Sequence, residues 1–482
     1  MARQRSPLLP IFLIVLVDVL GFTIVIPLLA YYAEHFGASP LVATTLVSVY
    51  AVCSLISTPL IGNLSDRYGR KPLLLISQGG TCAGFLMLAY SSSLWMVFVG
   101  RILDGITAGN LSTAQAYISD HTQPKDRAKA FGVIGVAFGL GFMVGPAIGA
   151  ELGKHGLHYP FILAASLSAL SMIATYTLLP AGKPPQAQAA QAGALPGGKR
   201  PGAFDLKTYA EYFRRPGLAS LYAQFFLFTF AFSCFTSGMA LFAERRFYAE
   251  RDLTRVGSTC TFRPETDLDP RAAPLGYVLV DGKRLEKGQW TVPSKQAVEL
   301  KGDACATLGP ATRVEAHVPW GVREVGLLFT FSGLLGIILQ GGLIGRLVKR
   351  FGEVKLSIAG FVAVIIGYAG LGVTYTLAML LVIAVFNSFG NGVLRPCVTS
   401  RITQAVGAHE QGVALGISGS LSSLAMSMAP PTGGALLEGG RTMAWAMVPA
   451  TVALIGLVAT IATRPRSTPA GAEGGGELSS GA

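Results

Sequence analysis

Ile61-Gly62-Asn63-Leu64-Ser65-Asp66-Arg67-Tyr68-Gly69 returns 283 residues later as Ile344-Gly345-Arg346-Leu347-Val348-Lys349-Arg350-Phe351-Gly352. The same offset aligns Asp104, Gly109 and Leu111 with Asn387, Gly392 and Leu394, and an offset of 284 aligns Gly132, Gly135 and Pro146 with Gly416, Gly419 and Pro430. Several matches at one spacing mark two related halves, an organisation common among membrane transporters. The spacing breaks once. Ala33-Glu34 pairs with Ala243-Glu244 at an offset of only 210, so the second half carries an insertion of about 73 residues between Arg245 and Val322.

Outward from these repeats the chain is apolar. Of its 482 residues 51% are hydrophobic and 13% charged, with 59 glycines, a balance that excludes an ordinary soluble enzyme. A bilayer crossing needs about 20 apolar residues. Such runs extend from Pro7 to Ala33, Leu41 to Gly62, Pro72 to Tyr90, Leu94 to Tyr117, Ala128 to Ala150 and Tyr159 to Leu179. After a polar gap they resume from Leu218 to Ala243, Val325 to Leu347, Leu356 to Tyr375, Leu377 to Ile402, Val413 to Leu437 and Met443 to Thr463. The expected fold is an all-α membrane protein of 12 helices in two pseudo-symmetric six-helix bundles. The first run is too long for a secretory signal and carries Asp18 and Pro27, so it reads as a retained helix.

The net charge of +12 is one-sided. With alternating spans and a cytoplasmic N-terminus, the cytoplasmic segments hold 21 of the 38 lysines and arginines and nine acids, which accounts for the whole excess. Orientation therefore explains the charge, and no nucleic-acid partner is needed. Both termini are expected in the cytoplasm and the chain in a cell membrane, the bacterial inner membrane.

The expected organisation is an N-terminal bundle over 1–180, a linker over 181–217, a C-terminal bundle over 218–244 and 323–463, an extracytoplasmic insertion over 245–322, and a disordered tail over 464–482. Residues 181–200, rich in Pro, Ala, Gln and Gly, have linker composition, and 204–215 reads as an amphipathic helix on the inner membrane face. The insertion reads as β-rich. Asp281-Gly282 between Gly276–Val280 and Lys283–Leu285 signals a tight hairpin, and Ala297–Leu300 and Thr312–Ala316 read as further strands. Cys53, Cys82, Cys234 and Cys397 fall in apolar spans, whereas Cys260 and Cys305 share the insertion. A small extracytoplasmic module gains stability from a disulfide, so these two are expected to pair, against the alternative of two free thiols.

The loop Gly62-Asn63-Leu64-Ser65-Asp66-Arg67-Tyr68-Gly69-Arg70-Lys71-Pro72 resembles the signature of the major facilitator superfamily. Its glycines permit a tight turn, and Arg67, Arg70 and Lys71 hold that turn inside. The resemblance implies that Asp66 latches the halves together, a role a carboxylate can fill by facing a helix N-terminus such as that near Gln411. Gly100-Arg101-Ile102-Leu103-Asp104-Gly105, and the fifth-span set Gly135, Gly139, Gly141, Gly145-Pro146 and Gly149, are similar to motifs of the twelve-helix drug:proton antiporters, with the closest likeness to the tetracycline-exporter branch. The glycines form small-xxx-small ridges for close helix approach, and Pro146 suggests a bend. Exporters of that branch carry further acids in helices three and nine; here Gly84 stands near the first place and the ninth span has no acid.

Intramembrane charges cost about 2.5 to 3.5 kcal/mol each and ask for a reason. There are four: Asp18, Arg101, Asp104 and Arg395. Asp18, in a stretch resembling the first helix of tetracycline-type exporters, is the leading proton carrier, since burial raises a carboxyl's affinity for a proton. It is also a candidate for touching substrate. Arg101 and Asp104, three apart, either neutralise each other or, as the resemblance implies for the arginine, relay protons. Arg395 either snorkels or functions. Asn387 and Asn391 share a helix face, as substrate contacts or as helix-to-helix hydrogen bonds. No Walker sequence, His-Glu-x-x-His pattern or histidine cluster is present, so neither an enzyme, an ATP-driven pump nor a metal or other cofactor is expected. The expected function is secondary transport, a proton-coupled antiporter exporting a small lipophilic molecule as a monomer in the bilayer. A solute:proton importer of the same fold and a receptor or scaffold acting through the insertion remain the alternatives.

Overall fold

The computed structural model describes residues 8–463, apart from 122–126, 180–205, 408–409 and short gaps in the insertion at 258, 265–275, 287, 295–296, 307 and 310–311. The tail, most of the linker and the side chain of Asp66 lie outside the described residues. In the N-terminal half the helices are α1 (Leu8–His35), α2 (Pro40–Tyr68), α3 (Arg70–Ala89), α4 (Leu94–Ile106), α5 (Asn110–His121), α6 (Arg127–His155) and α7 (Tyr159–Leu178). After the short α8 (Leu206–Arg214), the second half comprises α9 (Leu218–Arg246), α11 (Val322–Ile338), a π-helical turn (Leu339–Leu343), α12 (Ile344–Phe351), α13 (Glu353–Val373), α14 (Leu377–Gln404), α15 (Gln411–Glu438) and α16 (Thr442–Ala462); α10 (Asp303–Ala306) belongs to the insertion. Ten helical spans among the described residues are long and apolar enough to cross a membrane, with α11 to α12 counted as one.

The repeat has a backbone counterpart. Gly69 closes α2 at φ 100°, ψ 156°, and Gly352 closes α12 at φ 76°, ψ 158°. Each glycine donates its N–H to the carbonyl four residues back, Ser65 and Val348. Positive φ is what glycine supplies at no steric cost, which is why the turn recurs as glycine in both halves.

Two expectations change. The fourth span is not continuous: helix stops at Ile106 and restarts at Asn110. Hydroxyls on neighbouring helices take up the freed carbonyls. Ser57 Oγ donates to Gly105 O at 2.7 Å, Thr58 Oγ1 to Ala108 O at 3.1 Å, and Ser77 Oγ to Thr107 O. A mid-membrane interruption persists only with such partners. The amphipathic α8 also does more than rest on a membrane face, because Tyr212 is fully buried among Leu218, Tyr222 and Ile417. Arg215, just beyond α8, donates two 2.9 Å hydrogen bonds to Glu410, which pins α8 to the second half.

The insertion forms a seven-stranded antiparallel sheet in the order β4-β3-β7-β1-β2-β6-β5. Its strands are β1 (Tyr248–Arg255), β2 (Thr261–Pro264), β3 (Tyr277–Val280), β4 (Lys283–Arg284), β5 (Trp290–Ser294), β6 (Ala297–Leu300) and β7 (Val314–Pro319). Asp281 (φ 45°) and Gly282 (φ 77°) make the β3–β4 turn. The sheet has its own core, including Phe262, Val278, Trp290, Val298 and Val314. Cys260 and Cys305 are joined by a disulfide with Cα atoms 5.5 Å apart.

The halves touch on the side facing this module. Tyr31 Oη of α1 donates to Ala240 O (3.3 Å) or Trp320 O (3.2 Å), and Ser48 Oγ of α2 to Met426 O at 3.4 Å. Arg245 lies 3.4 Å from Glu34. Glycines bring backbones together there: Gly434 sits on Thr44 and Pro40, Gly326 on Ala150 and Pro146, and Gly333 on Phe142 and Met143. On the opposite side, where α1 begins and α16 ends, a Cβ added at Gly62, Gly341, Gly345, Gly412, Gly416 or Gly419 meets nothing within 4 Å. Among the described residues the seam between halves is therefore closed toward the module and open toward the chain ends.

Candidate functional site

Inside the N-terminal half, a polar cluster collects around Asp18. Its side-chain neighbours are Ser171 of α7 and Asn110 at the start of α5, with Asp104 the acid close enough to repel it. One carboxyl oxygen of Asp18 is buried without a hydrogen-bond partner, as are Oδ1 of Asn110 and Oε1 of Gln78. Gln78 Nε2 donates to Ser171 Oγ at 2.7 Å. The helix break positions this cluster, since α5 restarts beside Asp18. Asp18 thus sits within a bundle, near α5 and α7.

Arg101 and Asp104 form a 2.8 Å ion pair with side chains only 5% and 8% exposed, so the pair is shielded from solvent on nearly every side. The Arg101 guanidinium also lies over the Tyr50 ring, 4.5 Å from its centroid. Gly84, on α3, makes room for the pair: a Cβ there would come within 2.9 Å of Gly100 O and 3.1 Å of Asp104 Cβ. Its repeat partner Gly367 makes the same approach to Asn387 on α14. Asn387 is buried against α13, with Oδ1 unpartnered. Asn391, one turn on, accepts a 3.1 Å hydrogen bond from the buried Tyr368.

Glycines of α6 divide between two neighbours. Gly141, Gly145 and Gly149 face Val19, Thr23 and Ile24 of α1, where Thr23 Oγ1 donates to Gly141 O at 2.8 Å. Gly139 faces Ile337 of α11 across the seam, and the carbonyl of Pro146 faces Gly326. Gly135 lies on α6, but its surroundings are outside the described residues. In the signature loop, Arg70 donates to Ser65 Oγ at 2.5 Å. Lys71 Nζ caps α7 through 2.7 Å bonds to Tyr176 O and Leu179 O, a favourable place for a cation. Arg67 extends over the exposed Tyr68 ring. Gly62 has open space around it.

Two homologous helical halves, joined along one seam and parted along the rest, with interior charges inside a half, define a multi-pass membrane transporter. The sequence model of the Major Facilitator Superfamily matches residues 11–258 and 303–480, and the chain belongs to that superfamily, in its branch resembling the tetracycline-resistance exporters. It is 26% identical over 431 residues to the class C tetracycline resistance protein of Escherichia coli, covering 89% of each chain. With the class B protein of Escherichia coli it is 39% identical over 163 residues, 33% of this chain and 41% of that protein. The matches to the class H and class B proteins thus span less than half of those relatives' length. Among solved structures, the human organic anion transporter MFSD10 (TETRAN) superposes with a TM-score of 0.64 at 20% identity, covering 95% of this chain and 100% of that one. The members are transporters and not enzymes.

Proposed function

We propose that the protein is a proton-coupled antiporter that exports a small lipophilic molecule by alternating access. The observation carrying this reading is the Asp18 cluster: a carboxyl group enclosed by helices, with one oxygen lacking a hydrogen-bond donor. Leaving a buried acceptor unsatisfied costs about 1–3 kcal/mol. Protonation relieves that cost, so the charge on Asp18 is tied to whether water reaches the cluster, and water reaches it only when the surrounding helices shift. Arg101 and Asp104 form the charge pair beside the cluster and serve as the relay. The signature loop around Asp66, with Gly62, Arg67, Gly69, Arg70 and Lys71, serves as the gate on the side that is parted here. With the basic loops and both termini in the cytoplasm of a bacterial inner-membrane protein, the open cleft faces the cytoplasm, ready to load cargo for export. No cofactor enters the scheme beyond the proton gradient, and one chain suffices.

Proteoliposomes carrying wild-type or Asp18→Asn protein test this. Under an imposed pH gradient the wild type is expected to drive lipophilic substrates uphill, and the variant to lose accumulation while still exchanging substrate down its own gradient. Equal uphill transport by a folded Asp18→Asn protein would end the proton-carrier assignment.

A further inference from the structure

We infer that Gln78 and Ser171 are positioning residues for the proton carrier, a chain of hydrogen bonds that fixes the pH at which Asp18 gains and loses its proton; the inference rests on the reading of Asp18 above.

Gln78 of α3 and Ser171 of α7 are 0% and 1% exposed. Gln78 Nε2 donates to Ser171 Oγ at 2.7 Å. A hydroxyl has one proton to give, and with a lone pair engaged by the amide, that proton is what Ser171 offers outward. Two acceptors compete for it. The carbonyl of Ile14 lies at 3.5 Å, beyond the ordinary range for such a bond. The other is the carboxyl of Asp18, for which Ser171 is a hydrogen-bonding neighbour. A charged acceptor about doubles the strength of a hydrogen bond, so Ser171 turns to Asp18 when it is ionised and is released when it is protonated. Gln78 sets this direction, because its amide turned over would present Oε1 to the hydroxyl and draw the proton away from Asp18. In the orientation found, Oε1 is buried with no hydrogen-bond partner. Turned over, Nε2 would be the bare atom instead, so the two orientations are separated by what Asp18 takes from Ser171.

The second half shows that the fold does not ask for polar groups here. At the offset of 283, Gln78 corresponds to Phe361 on α13. Every buried position of α7 recurs on α16 at an offset of 285, from Pro160 and Trp445 to Thr175 and Thr460, and Ser171 corresponds to Gly456. The contact recurs as well: a Cβ on Gly456 would lie 2.5 Å from the Phe361 ring. At the offset of 210, Asp18 corresponds to Phe228, and Phe228 and Phe361 belong to one apolar cluster. The same junction of three helices is thus apolar in one half and carries a carboxyl, a hydroxyl and an amide in the other. Burying such groups costs free energy that packing does not require, so their presence together points to the charge they serve.

Other groups also act on Asp18. Asn110 of α5 is its second hydrogen-bonding neighbour, Asp104 of α4 repels it, and Arg101 is paired with Asp104. Tyr50 of α2 lies within electrostatic reach of both acids, and Tyr117 of α5 belongs to the apolar cluster around Ile14. Of the helices packed on α1, α2, α5, α6, α9 and α11 carry their charges in end turns, and α7 carries none.

Infrared difference spectra of the purified full-length protein in lipid read a protonated carboxyl directly, and the part of the signal absent in Asp18→Asn belongs to Asp18. Ser171→Ala should move the Asp18 midpoint up by about one pH unit, an about ten-fold rise in proton affinity, as loss of a hydrogen bond to a charged group implies. Gln78→Leu should raise the midpoint by less. In the Ser171→Ala background Gln78→Leu should add nothing, since it acts through the hydroxyl. Ser168→Ala removes a 3.0 Å bond to Gln78 O between the same two helices and should leave the midpoint in place. An unmoved midpoint in Ser171→Ala or Gln78→Leu, additive shifts in the double variant, an equal shift from Ser168→Ala, or no titration of Asp18 while the protein stays folded overturns the inference. A midpoint that moves as stated, with no change in the pH dependence of uphill transport in proteoliposomes, upholds the positioning role and refutes Asp18 as the carrier instead.

Discussion

The closed seam rests on backbone-to-backbone approach, and Gly333 shows how sharply. A Cβ at this position would lie 2.6 Å from Met143 Cα and 2.6 Å from Phe142 O. Ordinary carbon contacts begin near 3.5 Å, so Gly333→Ala forces α11 and α6 apart by roughly 0.9 Å. The obstacles are backbone atoms, which no rotamer change can move. Overpacking of this kind costs about 1–3 kcal/mol. The cost falls only on the arrangement in which the seam is closed toward the module, so it shifts the balance toward the alternative by about 5- to 150-fold. Ser48→Cys reports the change, since Ser48 is 5% exposed in the seam. In a background lacking Cys53, Cys82, Cys234 and Cys397, a membrane-impermeant maleimide applied from the module side should label Ser48→Cys several-fold faster when Gly333→Ala is present. Gly336→Ala is the control. One turn away, its Cβ would meet nothing within 4 Å, and the change favours helix by up to about 1 kcal/mol. If Gly333→Ala lowers the melting temperature but leaves labelling of Ser48→Cys at the wild-type rate, the closed seam is static packing and the reasoning fails.

The Cys260–Cys305 bridge closes a loop with a sequence separation of 45, for which chain-entropy reasoning gives about 4 kcal/mol. Replacing both cysteines with serine should open the module to trypsin while the helical halves stay resistant, and an unchanged digestion pattern contradicts this. Glu410 is held below the usual carboxylate range, chiefly by the hydrogen bonds from Arg215. Its stabilising contribution is therefore present above the ordinary carboxylate value near 4.5 and is lost as pH falls through the lower folded value. Hydrogen exchange of α8 should rise on acidification through that window in the wild type, and should already be high and flat with pH there in Glu410→Gln. Finally, Ser57→Ala combined with Thr58→Ala strips donors from the break between α4 and α5, at about 1–3 kcal/mol for each carbonyl left bare; thermal unfolding in detergent measures the loss, and no change would mean the carbonyls find other partners.

Much of this fold was legible because it is repeated or periodic. The offset joining Gly69 to Gly352 located the turn that both halves share, and Asp281-Gly282 marked a hairpin that is present. The broken fourth span was not legible. At the break itself Thr107-Ala108-Gly109 carries no proline and reads as ordinary small residues, and the groups that permit the break, Ser57, Thr58 and Ser77, sit on other helices. β1 also escaped notice, since Tyr248–Arg255 carries four charges and its pairing is set by β7, more than fifty residues away. At the site, the sequence identified every intramembrane charge but not its direction. Its place as a charge within the first span made Asp18 a candidate cargo contact, whereas its neighbours Ser171 and Asn110 come from within its own half.

The module is joined to the transporter without slack. Phe247 alone separates α9 from β1, and only Trp320 and Gly321 lie between β7 and α11. β1 and β7 are zipped from Tyr248 opposite Pro319 to Leu253 opposite Val314. The outer ends of α9 and α11 are thereby clamped like the two legs of a staple, so they cannot spread apart while the ladder holds. Any opening toward the module must occur between halves, and the sheet must swing with its half as one body. A bulky binder gripping the sheet would then act as a handle on the transport cycle from outside the membrane span, arresting whichever swing its bulk obstructs, without entering the cleft.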